Sequence, residues 1–213
     1  MNIKFAILLF CFLPFSLAAQ NVDGGATPLL KDLAIKYKGY SSISIDYTYK
    51  AEKNKQITDT QKGKMIIKGN KYYLTFSNQV FYCNGITVWN YQKMTNEVSV
   101  YDYDESDETM LNPSKILSNW QKEYKPKFIR EENSNGKFIN IIDLTPFKAQ
   151  SYFKIRFYID KIKKEITRIS IYEKDNSIYS YFFDIFVTNS SIDDSQFSFD
   201  VSKHPNVEIN DMR

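Results

Sequence analysis

The stretch that decides the fold is "SISIDYTYK", residues Ser42 to Lys50. Ile43, Ile45, Tyr47 and Tyr49 alternate with polar residues, so one face of the predicted strand is apolar and the other is polar. Antiparallel sheets with one solvated face show this pattern, whereas parallel strands buried on both faces do not. The sequence therefore predicts an antiparallel sheet that starts here.

The same combination of strands and turns continues along the chain. The stretch "GKMIIKGNKYYLTF" predicts a hairpin that turns at Gly69-Asn70. Asn84-Gly85 predicts a second hairpin with a type I′ turn, in which both central residues have a positive φ. Asn135-Gly136 marks a third turn. Further strands are predicted at Val80–Cys83, Ile86–Tyr91, around Val98 and Val100, and at Phe128–Glu132, Phe138–Leu144, Tyr152–Ile159, Glu165–Glu173 and Ile178–Val187.

Two amphipathic helices accompany the strands. The first is predicted to start with Thr27 as N-cap and Pro28 as first helical residue, and to end near Gly39. The second interrupts the strands and starts with Asn112 as N-cap before Pro113. The apolar stripes are Leu30, Leu33, Ala34 and Tyr37 in the first helix and Ile116, Leu117 and Trp120 in the second.

These elements predict a mainly β fold with α+β character. A sheet of about 11 twisted antiparallel strands tends to curl. Helices with apolar stripes must bury them, and the concave side of the curled sheet is the available surface. We therefore expect an incomplete antiparallel β-barrel with a helical lid over a hydrophobic cavity.

Residues 1–19 have the composition of a secretory signal peptide. Lys4 provides the positive start, Phe5–Leu17 the apolar core, and Ala18 and Ala19 the small residues near the cleavage point. We expect an exported protein in which residues 20–213 form a single domain. Removal of the leader takes away Cys11 and leaves Cys83 as the one cysteine, so no intrachain disulfide is expected.

Composition argues against several classes of function. The net charge of +3 falls to +2 without Lys4, which gives no reason to expect nucleic acid as a partner. One histidine and one mature cysteine cannot form a zinc site, and we expect no metal and no cofactor. The 16 Tyr and 16 Phe residues are typical of strands. The acidic run between Asp102 and Glu108 lacks the glycine spacing of an EF-hand and predicts a solvated loop.

No catalytic arrangement stands out. His204 precedes Pro205 and is expected in a surface turn, and Cys83 is expected to be a small core residue. A glycosidase with two carboxylates stays open, because distances cannot be read from a sequence. We predict that the protein is not an enzyme.

Several motifs together resemble the LolA family of outer-membrane lipoprotein carriers. The stretch "YSSISIDYTYK" is similar to the family's first strand, and "GKMIIKGNKYYL", which starts at Gly63, to its second and third strands. The motifs "TNEVSV" and "NPSKIL" are similar to the stretch after the next hairpin and to the helical insert. The family's Asp-Gly-x-x-x-Trp-x-Tyr hairpin and its closing segment are matched by Asn84, Gly85, Trp89 and Tyr91 and by Phe197, Phe199, Pro205, Val207 and Asp211.

The resemblance implies a periplasmic carrier that shields lipoprotein acyl chains and shuttles them from the inner to the outer membrane. The implied partners are acylated lipoproteins, an inner-membrane lipoprotein-releasing ABC transporter and an outer-membrane acceptor, and we expect a monomer. The family has an Arg-Pro pair where this chain reads Lys68-Gly69-Asn70. Lys68 is therefore the candidate latch for the lid, although it lacks the planar fork of an arginine.

The apolar faces supply the candidate ligand contacts. Ile45→Asp is predicted to abolish acyl-chain binding while leaving most of the sheet intact. Two alternatives remain, a carrier of another lipid or glycolipid and a regulatory module that senses lipids or lipoproteins. The predicted lipid-binding residues are Ile43, Ile45, Tyr47, Tyr49, Met65, Ile67, Tyr72, Leu74, Trp89, Phe153, Ile155 and Phe157, and the predicted lid residues are Leu30, Leu33, Ile116, Leu117 and Trp120.

Overall fold

The computed structural model describes residues 23–104, 112–134 and 136–213, and there it contains one twelve-stranded sheet and two α-helices. The predicted signal peptide and most of the acidic run lie outside the described residues. The helices are α1 (Ala26–Lys38) and α2 (Pro113–Glu123). The strands are β1 (Ile43–Lys53), β2 (Gln56–Lys68), β3 (Lys71–Phe76), β4 (Gln79–Cys83), β5 (Thr87–Gln92), β6 (Glu97–Asp102), β7 (Tyr124–Ser134), β8 (Lys137–Pro146), β9 (Tyr152–Asp160), β10 (Glu165–Glu173), β11 (Ser177–Thr188) and β12 (Glu208–Asp211).

The sheet consists of two antiparallel meanders that join at its centre. Its order is β12-β6-β5-β4-β3-β2-β1-β11-β10-β9-β8-β7, so β1 pairs with both β2 and β11. The sheet stays open, with β12 and β7 as its edges. This confirms the predicted incomplete barrel. The strand count exceeds the expected number because the tail forms β12, which pairs with β6 in parallel.

One hairpin turn differs from expectation. Only Gly85 of the Asn84-Gly85 pair has a positive φ, and Cys83 pairs with Val88 across a four-residue loop. The Asn84 side chain accepts hydrogen bonds from the backbone N–H groups of Ile86 and Thr87, which stabilises this wider turn. The prediction of a type I′ turn at Asn84-Gly85 is therefore wrong.

A two-residue turn that the sequence analysis did not predict connects β1 to β2. Asn54 and Lys55 both have a positive φ, as a type I′ turn requires, and Lys53 pairs with Gln56. As a result β2 starts seven residues before Gly63, where the predicted hairpin began.

Both helices form where their apolar periodicity predicted them. The N-terminus of α1 is shifted, because Gly25 occupies the N-cap position instead of Thr27. The Asp23 carboxylate accepts hydrogen bonds from the N–H groups of Gly25 and Thr27 and stabilises this start. At α2 the Asn112 side chain caps the helix as expected, at 2.9 Å from the N–H nitrogen of Ser114.

The two faces of the sheet are covered differently. The inner face is the one that the helices cover. Its side chains, such as Phe157, pack against helix side chains such as Leu30 and Leu33 and form the main core, in which all three are fully buried. The outer face of β3–β6 forms a second core, in which Phe199 of the C-terminal segment packs on Tyr91. This half of the sheet therefore carries buried apolar side chains on both faces.

A close contact between β1 and β2 fixes the strands beneath the helices. Tyr47 lies directly opposite Gly63 in the sheet. Its ring lies over that glycine, and its hydroxyl donates a hydrogen bond to the Thr75 carbonyl oxygen at 2.7 Å. A side chain at position 63 would overlap the ring, which gives a physical reason for glycine there.

Candidate lipid-binding cavity

One row of inner-face side chains crosses six strands near the C-terminal end of α1. Each member is paired across the sheet with the next, so the row follows directly from strand register. Its members are Ile43, Ile67, Tyr72, Cys83, Val88 and Tyr101.

A cavity of about 820 Å³ lies between this row and the two helices. Ala34 and Tyr37 of α1 form one wall, and Leu117 and Trp120 of α2 form the other. Five of the six row residues line it, while Cys83 is fully buried behind them. The volume is within the range of about 300–1,000 Å³ that is typical of small-molecule sites.

The adjoining part of the inner face is closely packed. Ile45, Tyr47 and Met65 meet Pro113 of α2 around a void of about 10 Å³. That space is no larger than a single water molecule needs, roughly 10–15 Å³. In this conformation a ligand has room beside α2 but not beneath it.

The structure brings some predicted ligand-contact residues to the cavity and buries others. Ile43, Ile67 and Tyr72 line the cavity, as do Leu117 and Trp120 of the predicted lid. Leu30, Leu33 and Ile116 are buried between the helices and the sheet. Ile45, Tyr47 and Met65 line only the small void, and Tyr49, Leu74, Ile155 and Phe157 belong to the main core.

Trp89 lies on the outer face of the sheet, not at the cavity. Its side chain packs against the second core with Tyr91, and its neighbour Val88 points to the cavity instead. Val88 and Tyr101 are functional candidates that sequence reasoning missed. The feature that could have identified them is that they lie directly opposite each other in the pairing of β5 with β6.

Phe153 also lies on the outer face, because the pairing of β9 with β10 shifts at this point. Its ring lies 6.0 Å from the ring of Tyr172, and the residue is 47% exposed. Lys154 lies over both rings, which places all three side chains on the same face. Tyr152 packs against the main core in its place.

Among the described residues, Lys68 contacts the C-terminal segment and not the lid. Its ammonium group lies 2.9 Å from the Ile192 carbonyl oxygen and 2.9 Å from the Asp194 carboxylate. Lys71 binds the same carboxylate at 2.6 Å, and Lys71 and Lys68 together lower the pKa of Asp194 to about 2. Lys68 therefore holds the C-terminal segment on the outer face.

Polar contacts attach α1 to the β9–β10 hairpin. Lys36 lies 3.3 Å from the Glu165 carboxylate. The Tyr37 hydroxyl accepts a hydrogen bond from the N–H group of Ile166 at 3.1 Å, and burial raises the pKa of Tyr37. The hydroxyl is therefore neutral at any physiological pH. Together these contacts hold the C-terminal half of α1 on the β9–β10 hairpin.

The attachment of α2 is mainly apolar. Ile116, Leu117 and Trp120 are buried against the main core. The helix continues without a loop into β7 at Tyr124.

The two side chains considered for catalysis are both packed. Cys83 is fully buried, and burial raises the pKa of its thiol, which keeps it protonated and a poor nucleophile. The His204 ring is stacked on Phe199 and tilted against Tyr91, with centroids 4.5 and 4.3 Å away. It thus belongs to the second core and is not a free surface residue. Within residues 23–104, 112–134 and 136–213, no group of three His, Cys, Asp or Glu side chains could hold a metal ion.

Comparison with known proteins identifies the family. A family model described as "Outer membrane lipoprotein carrier protein LolA" matches residues 38–200. The chain belongs to the LolA family. The LolA match covers every strand from β1 to β11 and the cavity wall formed by α2, but only Lys38 of α1. The family is one of lipoprotein-binding carriers.

Individual proteins similar to this LolA family member are distant from it in sequence. An uncharacterized protein of Methanocaldococcus jannaschii is 23% identical over 164 residues, which are 76% of this chain and 49% of that protein. The chain thus spans about half the length of this curated relative. An uncharacterized conserved protein of Thermus thermophilus has 9% identity and a TM-score of 0.59 over 87% of this chain and 98% of its own. A LolA superfamily protein of Nitrosomonas europaea has 12% identity and a TM-score of 0.45 over 83% of this chain and 98% of its own.

The helices of this LolA family member are short. In the described part of the chain, neither α1 nor α2 combines the length and the apolar character that a membrane-crossing helix needs.

Proposed function

We propose that this LolA family member is a periplasmic carrier, which binds the acyl chains of lipoproteins in its cavity and shuttles them from the inner to the outer membrane. The observation that carries the proposal is the cavity of about 820 Å³ between two helices and the apolar inner face of an open sheet. Family membership supports lipoproteins as the cargo, in preference to another small apolar ligand.

The energetics of the cavity suit a carrier that hands its cargo over directly. Each buried methylene group contributes about 0.8 kcal/mol, so a chain of some fifteen methylenes contributes on the order of 12 kcal/mol. Release of such a chain into water would be very slow. Transfer therefore requires contact between the cavity mouth and a partner that offers an equivalent apolar site.

This requirement defines the proposed partners. An inner-membrane lipoprotein-releasing ABC transporter would load the cavity, and an outer-membrane acceptor would empty it. No bond is made or broken in either step, so the proposal needs neither a catalytic residue nor a cofactor. It places residues 20–213 in the periplasm as one domain that acts as a monomer, after removal of the signal peptide.

Binding of a long acyl chain is coupled to a movement of α2. The cavity already offers room beside Leu117 and Trp120, but the inner face next to it is filled by Pro113. Since α1 is attached to the sheet by polar contacts, α2 is the helix that moves with the smaller cost. A lid of this kind alternates between two packings of similar free energy.

The variant Ala34→Trp tests the cavity. Ala34 lines the cavity from α1 and is only partly buried, so an indole at this position occupies space that a ligand would need. We expect the affinity for a fluorescent sixteen-carbon fatty-acid probe to fall by about tenfold or more, because loss of even two methylene contacts costs about 1.6 kcal/mol. Fluorescence titration of the purified protein measures this change.

Ala149→Trp is the matched control, because Ala149 is exposed between β8 and β9 and distant from the cavity lining. It should bind the probe as the wild type does. Equal binding by Ala34→Trp and wild type, with both proteins folded, would show that acyl chains do not enter this cavity.

A further inference from the structure

We infer that the lipoprotein bound in the cavity carries an acidic group close to its acylated residue, and that Lys31 and Lys38 hold this group at the cavity mouth. The inference rests on the proposed function, because it assumes that the cavity accepts an acyl chain. It adds the chemical class of the polar part of the ligand.

The two lysines lie on the same side of α1. They are seven positions apart, which corresponds to about 10 Å along the helix axis and roughly 20° around it. Both side chains line the cavity, together with Ile35, which lies between them and is 73% exposed. Lysine side chains are long and flexible, so their ammonium groups can converge on one anion between them.

Within the described parts of the chain, Lys31 and Lys38 form no ion pair, in contrast to Lys36 on the same helix, which is paired with Glu165. Lys115 of α2 and two carboxylates also line the cavity. Both carboxylates already interact with other groups. Asp102 contributes, together with Asp211, to the raised pKa of Arg213, and Asp104 takes part in a separate interaction. The α1 side of the mouth is therefore positively charged.

The arrangement of apolar and charged groups matches an anionic amphiphile. The floor of the cavity is formed by Ile43, Ile67 and Val88, and the lysines lie at its opening. An acyl chain on the floor would leave the adjoining polypeptide of the lipoprotein at the mouth, where an acidic side chain meets the ammonium groups. A neutral ligand would gain the same apolar contacts but nothing from the lysines.

The test compares two single-chain lipids that differ in charge. Palmitoyl lysophosphatidylglycerol carries a phosphate, and monopalmitoylglycerol has the same chain without it. We expect the wild type to bind the anionic lipid roughly tenfold more tightly, the effect of two solvent-exposed ion pairs. The double variant Lys31→Gln/Lys38→Gln should lose this preference and keep its affinity for monopalmitoylglycerol. The preference should also weaken with added salt.

Lys148→Gln/Lys174→Gln is the control of equal charge change, because both lysines are exposed in loops outside the cavity lining. It should retain the preference. Equal affinity of the wild type for both lipids would overturn the inference and leave the carrier function standing. Binding of free glycerol phosphate as tight as that of the anionic lipid would also overturn it, because the chain would then contribute nothing. Failure of the wild type to bind either lipid would overturn the proposed function itself.

Discussion

Gly63→Ala is expected to destabilise the protein by about 2–4 kcal/mol. Overpacking of a filled site costs typically about 1–3 kcal/mol, and loss of a hydrogen bond adds about 1 kcal/mol. A Cβ atom at this position would overlap the Tyr47 ring and come within 2.5 Å of the Thr75 carbonyl oxygen. The ring would have to move, and its hydrogen bond to that oxygen would break. Urea denaturation of the purified variant measures the loss as a lower midpoint.

Gly39→Ala provides the comparison within the same chain. Gly39 has a φ of −77°, and an added Cβ atom would make only ordinary contacts at the end of α1. Its free energy of unfolding should change by no more than about 0.5 kcal/mol. If Gly63→Ala changed stability as little as Gly39→Ala does, the packing of Tyr47 over β2 would not be what makes glycine necessary.

Ile45→Asp is expected to destabilise the fold by at least about 3 kcal/mol, and to lose acyl binding as a consequence, because burial of an unpaired charge is among the most costly single changes. The sequence alone predicted that this variant would keep most of its sheet. In the structure Ile45 is 1% exposed and packs beneath Pro113, so the new carboxylate would be buried without a partner. Thermal unfolding followed by circular dichroism measures the effect.

Ile45→Leu keeps the volume and polarity of the side chain and should cost less than about 1.5 kcal/mol. A stable Ile45→Asp protein would mean that water reaches this position. In that case the space beneath α2 would be open in solution, and the cavity would be larger than the structure indicates.

The sequence predicted the strands and helices well because their signals are local. Alternation in β1 and the apolar stripes of both helices each depend on neighbouring residues alone. The open sheet followed from the number of strands. The parallel pairing of β12 with β6 could not be predicted, since it joins residues far apart in the chain, such as Glu97 and Glu208.

The candidate site was predicted less well, because alternation does not say which face of a strand points inward. On β5 each face carries an apolar or aromatic side chain, and the C-terminal segment covers the outer face with Phe199. Trp89 was therefore assigned to the cavity, although Val88 lines it. The register shift at the start of β9 had a similar effect and turned Phe153 outward.

The sequence also could not show which apolar residues line the cavity and which are buried in the core. Ile43 and Ile45 belong to the same apolar face of β1, yet only Ile43 lines the cavity, whereas Ile45 is covered by α2. The difference depends on where the helices cross the sheet. That position is set by tertiary contacts such as those of Lys36 with Glu165 and of Tyr37 with Ile166.

The most direct test of the central claim is native mass spectrometry of the mature protein isolated from its own periplasm. The account predicts a population that carries acylated lipoproteins, released as free protein and lipidated cargo when the complex is dissociated. The Ala34→Trp variant should carry much less of this cargo. A wild-type protein that is isolated without any acylated species would contradict the proposal that the cavity carries lipoproteins.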